Sequence, residues 1–224
     1  MKPKFRSLIA AFAPLSRSSL IVVASLCAAT SVHADQTWTG DALDGFWTST
    51  GNWSGAAIPG AGDVAVFNAT SDTNTATTLG ATFSIKGLNI VDPIAAVSIA
   101  AGNTLTLGSS GIDMSTATQN LSLASPIVAG VSQSWNVRTG RTLTVTSEVS
   151  GTSITKSGDG TLMLTGTNIT AGNVPLNGGQ ITVRNGAALG PAGTNTLNQA
   201  NGTTFRIESV SGASGAAVFV SNPI

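Results

Sequence analysis

From Phe83 onward, short runs of the chain place an apolar residue on either side of one middle residue, which is usually polar. A period of two sends both apolar side chains to the same side of an extended backbone, so each run predicts a short β-strand. Many of these runs start roughly seven to nine residues apart, and Gly, Asn and Asp-Gly turns fill the gaps. The runs are Phe83–Ile85, Val97–Ile99, Leu105–Leu107, Ile112–Met114, Leu121–Leu123, Trp135–Val137, Leu143–Val145, Leu162–Leu164, Ile181–Val183 and Phe205–Ile207.

Two all-β architectures fit short strands at this spacing: a right-handed parallel β-helix, or solenoid, and a β-sandwich. A sandwich favours longer strands and a more aromatic core. The pattern therefore favours the solenoid, with rungs of about 20–25 residues that each hold two or three runs. Residues 83–208 would form roughly five or six rungs.

The segment 35–79 differs from the rest because it holds Trp38, Trp47 and Trp53 among closely spaced glycines, followed by a polar connector. Natural solenoids carry caps on their exposed ends. We therefore predict a Trp-rich N-terminal cap and connector over 35–79 and a solenoid over 80–224. The last ten residues are apolar without a closing signal, so we expect the solenoid to be truncated at its C-terminus.

Residues 1–34 have the pattern of a signal peptide. A basic start precedes an apolar core at Leu20–Ala29, which is too short to span a bilayer. Small residues before the junction predict cleavage between Ala34 and Asp35. The chain is then exported, to the extracellular space or the outer cell surface, with the periplasm as a further possibility.

The composition of residues 35–224 excludes several kinds of catalytic and metal-binding site. Charged residues make up 9% of the sequence, and the one cysteine (Cys27) and the one histidine (His33) both lie in the leader. The common zinc and copper ligand sets and the His-dependent catalytic triads are therefore excluded. Cleavage leaves a formal net charge of about −4, which disfavours nucleic acid as a partner. No cofactor is expected.

The region 151–190 carries the most regular motif. Its glycines and apolar residues, taken in order, resemble the autotransporter-associated β-strand repeat, also called the passenger-associated transport repeat. The matching positions, all structural in that repeat, are Lys156, Gly158, Gly160, Thr161, Leu162, Leu164, Gly166, Asn168, Gly172, Gly179 and Val183. Ile181 replaces a Leu of the repeat, Thr170 replaces its Tyr, and Pro175 stands where the repeat has Thr. Proline removes a ladder donor, so we expect an irregular rung there.

This resemblance implies a parallel β-helical passenger, secreted or displayed at the surface of a Gram-negative bacterium. It implies outer-membrane export machinery as a partner if the chain is part of a longer protein. We therefore predict a secreted or surface-displayed, adhesin-like structural segment without enzymatic activity, whose partners would be surface glycans or other cell-surface proteins.

The tryptophans suggest an alternative function. Trp38, Trp47 and Trp53, with Asp41, Asp44 and Asn52 nearby, could stack on and hydrogen-bond a sugar. The competing interpretation is that the indoles close the end of the solenoid core. A weaker alternative is a polysaccharide lyase or hydrolase, since parallel β-helices host such enzymes and paired carboxylates cleave glycosidic bonds. Asp41 with Asp44, or Asp113 alone, are the loose candidates for that chemistry.

Overall fold

The computed structural model describes residues 35–170, 173–190, 196–208 and 218–221. The protein is all-β, with 45% strand and 2% helix. A single turn of 3-10 helix is described, at Thr50–Asn52. The described strands are β1 (Gln36–Thr37), β2 (Val64–Phe67), β3 (Ala76–Thr77), β4 (Phe83–Ile90), β5 (Val97–Ile99), β6 (Leu105–Met114), β7 (Leu121–Leu123), β8 (Ile127–Ala129), β9 (Gln133–Val137), β10 (Thr142–Val145), β11 (Val149–Gly151), β12 (Ile154–Ser157), β13 (Thr161–Leu164), β14 (Asn168–Thr170), β15 (Val174–Leu176), β16 (Gln180–Val183), β17 (Leu197–Gln199), β18 (Thr204–Ile207) and β19 (Val218–Ser221).

The strands stack into three faces of a parallel β-solenoid with about six turns. Face 1 contains β1, β2, the C-terminal halves of β4 and β6, then β9, β12, β15 and β17. Face 2 contains the N-terminal halves of β4 and β6, then β8, β11 and β14. Face 3 contains β3, β5, β7, β10, β13, β16 and β18.

The pairing distinguishes the two predicted architectures. From β2 to β18, paired residues lie between 19 positions apart, as for Thr142 and Thr161, and 24 apart, as for Val97 and Leu121. All of these pairs are parallel, which short hairpin connections cannot produce. The predicted solenoid is therefore confirmed over the sandwich, and each run predicted from the sequence lies within a strand.

The core consists of apolar columns that run through successive rungs. Because register is kept from rung to rung, inward positions on one face meet the equivalent positions above and below. On face 3 one such column is Val97, Leu121, Leu143, Leu162, Ile181 and Phe205. Its first five members are buried, and burial of each such side chain contributes roughly 1.5–3 kcal/mol.

Two long strands turn the corner between faces 2 and 1 without a loop. The register between β4 and β6 shifts between Ile85 and Gly87, where the chain bends from one face to the next. Gly111, which pairs with Gly87, has φ +58°, and a Cβ there would lie 2.3 Å from the carbonyl oxygen of Ser134. Glycine is therefore required where the bend brings two rungs together.

The C-terminal rungs are less regular. Pro175 lies within β15, and β15 pairs with β12 through one position, Lys156 with Leu176. This agrees with the irregularity expected from a proline, which lacks the N–H donor. On face 3, β19 pairs with β18 in the antiparallel direction, unlike the other described pairs of that face.

Candidate functional site

The three tryptophans of the N-terminal segment form one aromatic cluster. The Trp38 and Trp53 rings meet edge to face at 5.0 Å between centroids, and the Trp47 and Trp53 rings do so at 5.1 Å. Trp38 stacks on Phe67 at 5.8 Å, and Trp47 meets Phe83 edge to face at 5.5 Å. Phe67 ends β2 on face 1 and Phe83 begins face 2, so the cluster lies against the first residues of both faces.

Each indole nitrogen of the cluster is satisfied within the protein. The Nε1 of Trp47 donates to the Thr77 hydroxyl at 3.0 Å, and the Nε1 of Trp53 donates to the carbonyl of Trp47 at 2.9 Å. The Nε1 of Trp38 donates to the carbonyl of Thr73 at 3.3 Å. Buried Trp side chains normally find such partners.

Burial decides how the tryptophans can act. Trp38 and Trp47 have no exposed surface, and Trp53 is 2% exposed. A sugar that stacks on an aromatic side chain needs an open ring face, and none of the three indoles offers one. The cluster therefore fits the cap interpretation, and the glycan-binding hypothesis has no contact surface on these rings.

The polar residues next to the cluster are also engaged locally. Asn52 is fully buried: its amide nitrogen donates to Asp44 Oδ1 at 2.7 Å and to the carbonyl of Phe46 at 2.9 Å. Its side-chain oxygen accepts from the backbone N–H of Ala42 at 2.8 Å. These bonds fix the loop from 40 to 53, which carries Trp47 and Trp53, and sequence reasoning did not predict this role for Asn52.

The carboxylate of Asp44 is part of the same loop. It accepts from the Ser49 hydroxyl, the Phe46 backbone N–H and the Asn52 amide. The hydrogen bond from Ser49, followed by that from Phe46, lowers the pKa of Asp44, although the residue is exposed. An acid held ionised in this way is a poor proton donor at neutral pH.

Asp113, another candidate for glycoside cleavage, is engaged within its own turn. Asp113 accepts the backbone N–H of Ser115 at 2.9 Å, which is a local turn contact. Over the described ranges, no group of three or more His, Cys, Asp or Glu side chains is placed to hold a metal ion.

Three glycines of the repeat motif lie at the corners between faces 1 and 3. A Cβ on Gly158 (φ +70°) would lie 2.4 Å from the carbonyl oxygen of Val137, and one on Gly160 would lie 2.2 Å from that of Arg138. A Cβ on Gly179 (φ +66°) would lie 2.3 Å from the carbonyl oxygen of Gly160. These glycines let successive corners approach closer than any other residue allows.

The other motif positions follow the same plan. Leu162 and Leu164 are inward on β13, and Gly166 lies where a Cβ would be 1.9 Å from the carbonyl oxygen of Ser147. Asn168 begins β14. Gly172 and the predicted leader, including Ala34, lie outside the described residues, while Asp35 accepts the backbone N–H of Val64 at 3.3 Å.

The repeat motif alone does not explain why a lysine occupies position 156. It is fully buried, and its Nζ donates to the carbonyl oxygens of Ser157, Gly158 and Gly178. A second buried polar contact involves Gln133, whose Oε1 accepts from the indole N–H of Trp135 at 3.0 Å. Strict alternation around both residues is the only sequence signal for their inward position.

An open cleft lies at the C-terminal end of face 3. Its volume is about 340 Å³, and its lining includes Leu189, Phe205 and Ile207. Glu208 at its rim pairs with Arg184 at 2.7 Å. Ile207 follows the inward column of face 3 yet is 44% exposed, so the core is open to solvent here.

The chain resembles one curated protein over most of its length. It is 31% identical, over 89% of its residues, to the adhesin BmaC autotransporter of Brucella suis biovar 1 (strain 1330). The match covers 6% of that protein, so the chain spans a small fraction of the length of this relative. No protein-family model matches the chain. No solved structure matches it significantly either.

The similarity and the fold point the same way. Both are compatible with a segment of an exported, adhesin-like surface protein, as the sequence predicted. In the part of the chain that the structure describes, no helix is long and apolar enough to cross a membrane. The division into leader, cap and solenoid stays a prediction.

Proposed function

We propose that this chain is a non-enzymatic, adhesin-like passenger segment of an autotransporter-type protein, displayed at the outer surface of a Gram-negative cell. The observation that carries the proposal is the series of parallel strand pairs that runs from β2 to β18 in a chain similar to an autotransporter adhesin. A continuous ladder of this kind makes a stiff column that can hold a contact surface away from the cell.

The chemistry of the outer surfaces supports contact through hydrogen bonds rather than through charge. On face 3, Ser98, Ser122 and Thr144 are neighbours in one outward column. Neutral hydroxyls suit the hydroxyls of surface glycans or the backbone of partner proteins. Attachment through such a surface should be insensitive to salt, because no screened charge pair is involved.

Local engagement of the acidic residues supports a non-enzymatic role. The carboxylates of Asp44 and Asp113 bind backbone N–H groups of their own turns. A glycosidase needs two carboxyl groups about 5 to 10 Å apart across an open substrate site.

Exposure at the surface is tested by adding proteinase K to intact cells that produce the chain within its complete protein. We expect loss of the chain while a periplasmic marker survives. Protection of the chain in intact cells, with digestion after the outer membrane is broken, would contradict surface display.

The adhesive surface is tested with one arginine on each face: Thr155→Arg on face 1, Thr106→Arg on face 2 and Thr144→Arg on face 3. All three positions are half-buried, outward and within a strand, so each serves as a control for the others. We expect one variant to reduce cell attachment to glycan-coated or protein-coated surfaces, with an unchanged circular dichroism spectrum. Equal attachment by all three variants would argue for a spacer rather than an adhesive segment.

A further inference from the structure

Lys156 lies at a core position of the solenoid. It belongs to β12 on face 1, where its register neighbours are Trp135 of β9 and Leu176 of β15, both fully buried. Its own side chain also has no exposed surface. Lysine is almost never fully buried unless its ammonium group is paired, so this position needs an explanation beyond packing.

The amine is held by main-chain carbonyls from two successive rungs. Nζ donates to the carbonyl oxygen of Ser157 at 2.7 Å, at the last residue of its own strand, and to that of Gly158 at 2.6 Å, in the turn that follows. It also donates to the carbonyl oxygen of Gly178 at 3.1 Å, in the equivalent turn of the next rung. An ammonium group has three N–H donors, so these acceptors use all of them.

Close contact between the two turns makes this bridge possible. A Cβ on Gly178 would lie 3.0 Å from the carbonyl oxygen of Gly158, and both Gly158 and Gly179 have left-handed φ values. Side chains larger than hydrogen would separate the turns and move the carbonyl of Gly178 away from the amine.

The positive charge on the amine is compensated only weakly by charged side chains. Trp135 and Leu176 are the side chains that β9 and β15 place beside it, and neither is titratable. Asp159, in the turn after β12, is exposed and opposes the effect of burial only in part. Burial is the dominant cause and lowers the pKa of Lys156 to about 8.

We propose that Lys156 is a proton-linked lock between two successive rungs: its amine ties their turns together, and the strength of this junction changes with the proton that the amine carries. The proposal goes beyond the adhesin-like function and does not depend on it.

The direction follows from linkage. The folded-state pKa lies below the value of 10.5 for a free lysine, so the unfolded chain binds more protons between these two values. The contribution of Lys156 to folding stability is therefore lowest below pH 8 and rises as the pH increases from 8 to 10.5. The neutral amine has only two N–H donors for the three carbonyl oxygens, but the protein no longer bears the cost of burying a charge.

The composition of the chain makes a direct test practical. Lysine occurs at positions 2, 4, 86 and 156, and the chain has no tyrosine. Lys86 is exposed and serves as the internal reference. The full chain, labelled with ¹³C at lysine Cε, is titrated by NMR, and the signal missing from Lys156→Met assigns Lys156. We expect a midpoint near 8 for Lys156, well below the value of about 10.4 for a free lysine.

If Lys156→Met does not fold, a variant with Lys2→Arg, Lys4→Arg and Lys86→Arg leaves Lys156 as the only lysine and keeps the site intact. A midpoint of 10 or above for Lys156 would overturn the proposal in either variant.

Chemical denaturation gives the second readout. Between pH 7.5 and 10.5 the unfolding equilibrium constant of the wild-type chain should fall at least about tenfold. Lys156→Met should lose this pH dependence, while Lys86→Met should keep it. A purely structural lysine would give the same pH profile in all three proteins, and that result would refute the lock.

Discussion

Gly160→Ala tests the claim that the glycines of the repeat are set by rung-to-rung contact. Gly160 has no left-handed φ, so backbone conformation alone does not demand glycine there. A Cβ at this position would lie 2.2 Å from the carbonyl oxygen of Arg138, 2.7 Å from Cγ1 of Val137 and 2.8 Å from the carbonyl oxygen of Arg141. Two of these atoms are backbone and cannot rotate away.

Relief of this overlap requires the two rungs to separate. The N–H of Gly160 donates to the carbonyl of Val137 at 2.8 Å, and the next ladder bond runs from Thr161 to Arg141 at 3.0 Å. Overpacking costs about 1–3 kcal/mol, and a weakened ladder bond adds about 0.5–1.5 kcal/mol. We expect Gly160→Ala to lower the free energy of unfolding by about 2–4 kcal/mol.

Guanidinium unfolding, followed by tryptophan fluorescence and far-UV circular dichroism, measures this change. Gly186→Ala is the matched control, because a Cβ there meets nothing within 4 Å, and it should change stability by less than about 0.5 kcal/mol. Gly140→Ala isolates the effect of backbone conformation, because φ is +74° and a Cβ there would meet nothing within 4 Å, so it should cost roughly 1–2 kcal/mol. Surface substitutions usually change the free energy of unfolding by about 0.5 kcal/mol or less. A change of that size for Gly160→Ala would refute the contact argument.

Three further changes test the cap and the C-terminal rim. Trp47→Ala should cost about 3–5 kcal/mol in the same unfolding assay, whereas Leu43→Ala, at a side chain 73% exposed, should change little. The pKa of Asp44 is lowered in the folded state, so its contribution is present above pH 4 or so and is lost as the pH falls further; Asp44→Asn should flatten the acid side of the stability profile. Glu208→Gln, which breaks a pair with Arg184, should cost less than about 1 kcal/mol in thermal or chemical unfolding.

Much of the fold was predictable because the interior of a solenoid repeats. Val97–Ile99 and Leu121–Leu123 are strands whose bounds equal those of the predicted runs. In both, two inward apolar residues flank a half-buried polar one, so the period-two signal and the strand coincide. Parallel stacking then follows, because strands this short bury their apolar side chains only against equivalent strands of the next rung.

Face 2 was harder to predict for a physical reason. Its strand β11 ends in Gly151, and β8 ends in Ala129. These small residues give little alternation, so the strands depend on pairing with neighbours rather than on their own pattern. A Cβ on Gly151 would lie 2.2 Å from the carbonyl oxygen of Ala129, a contact that only the folded register reveals.

The function of the N-terminal tryptophan cluster could not be predicted from the sequence either. Three tryptophans near acidic residues fit both a sugar site and a core, because composition does not specify which side of a ring is open. The folded structure answers this question, because all three indoles are buried and Trp47 meets Phe83 edge to face. Asn52 contributes through the backbone of its own loop, so its role depends on a turn geometry that no spacing rule predicts.

Lys156 and the glycines at 158 and 178 depend on each other for the structure of one junction between rungs. Glycine at 158 and 178 lets two turns approach until their carbonyl oxygens point at a shared interior point. Buried carbonyls without donors are unfavourable, and no N–H of an adjoining strand is available at a corner where both strands have ended. A long side chain that ends in three donors meets that need from within the core. The close turns therefore require a buried amine, and the amine in turn requires glycines to keep those turns close, so we expect loss of either to weaken the same junction.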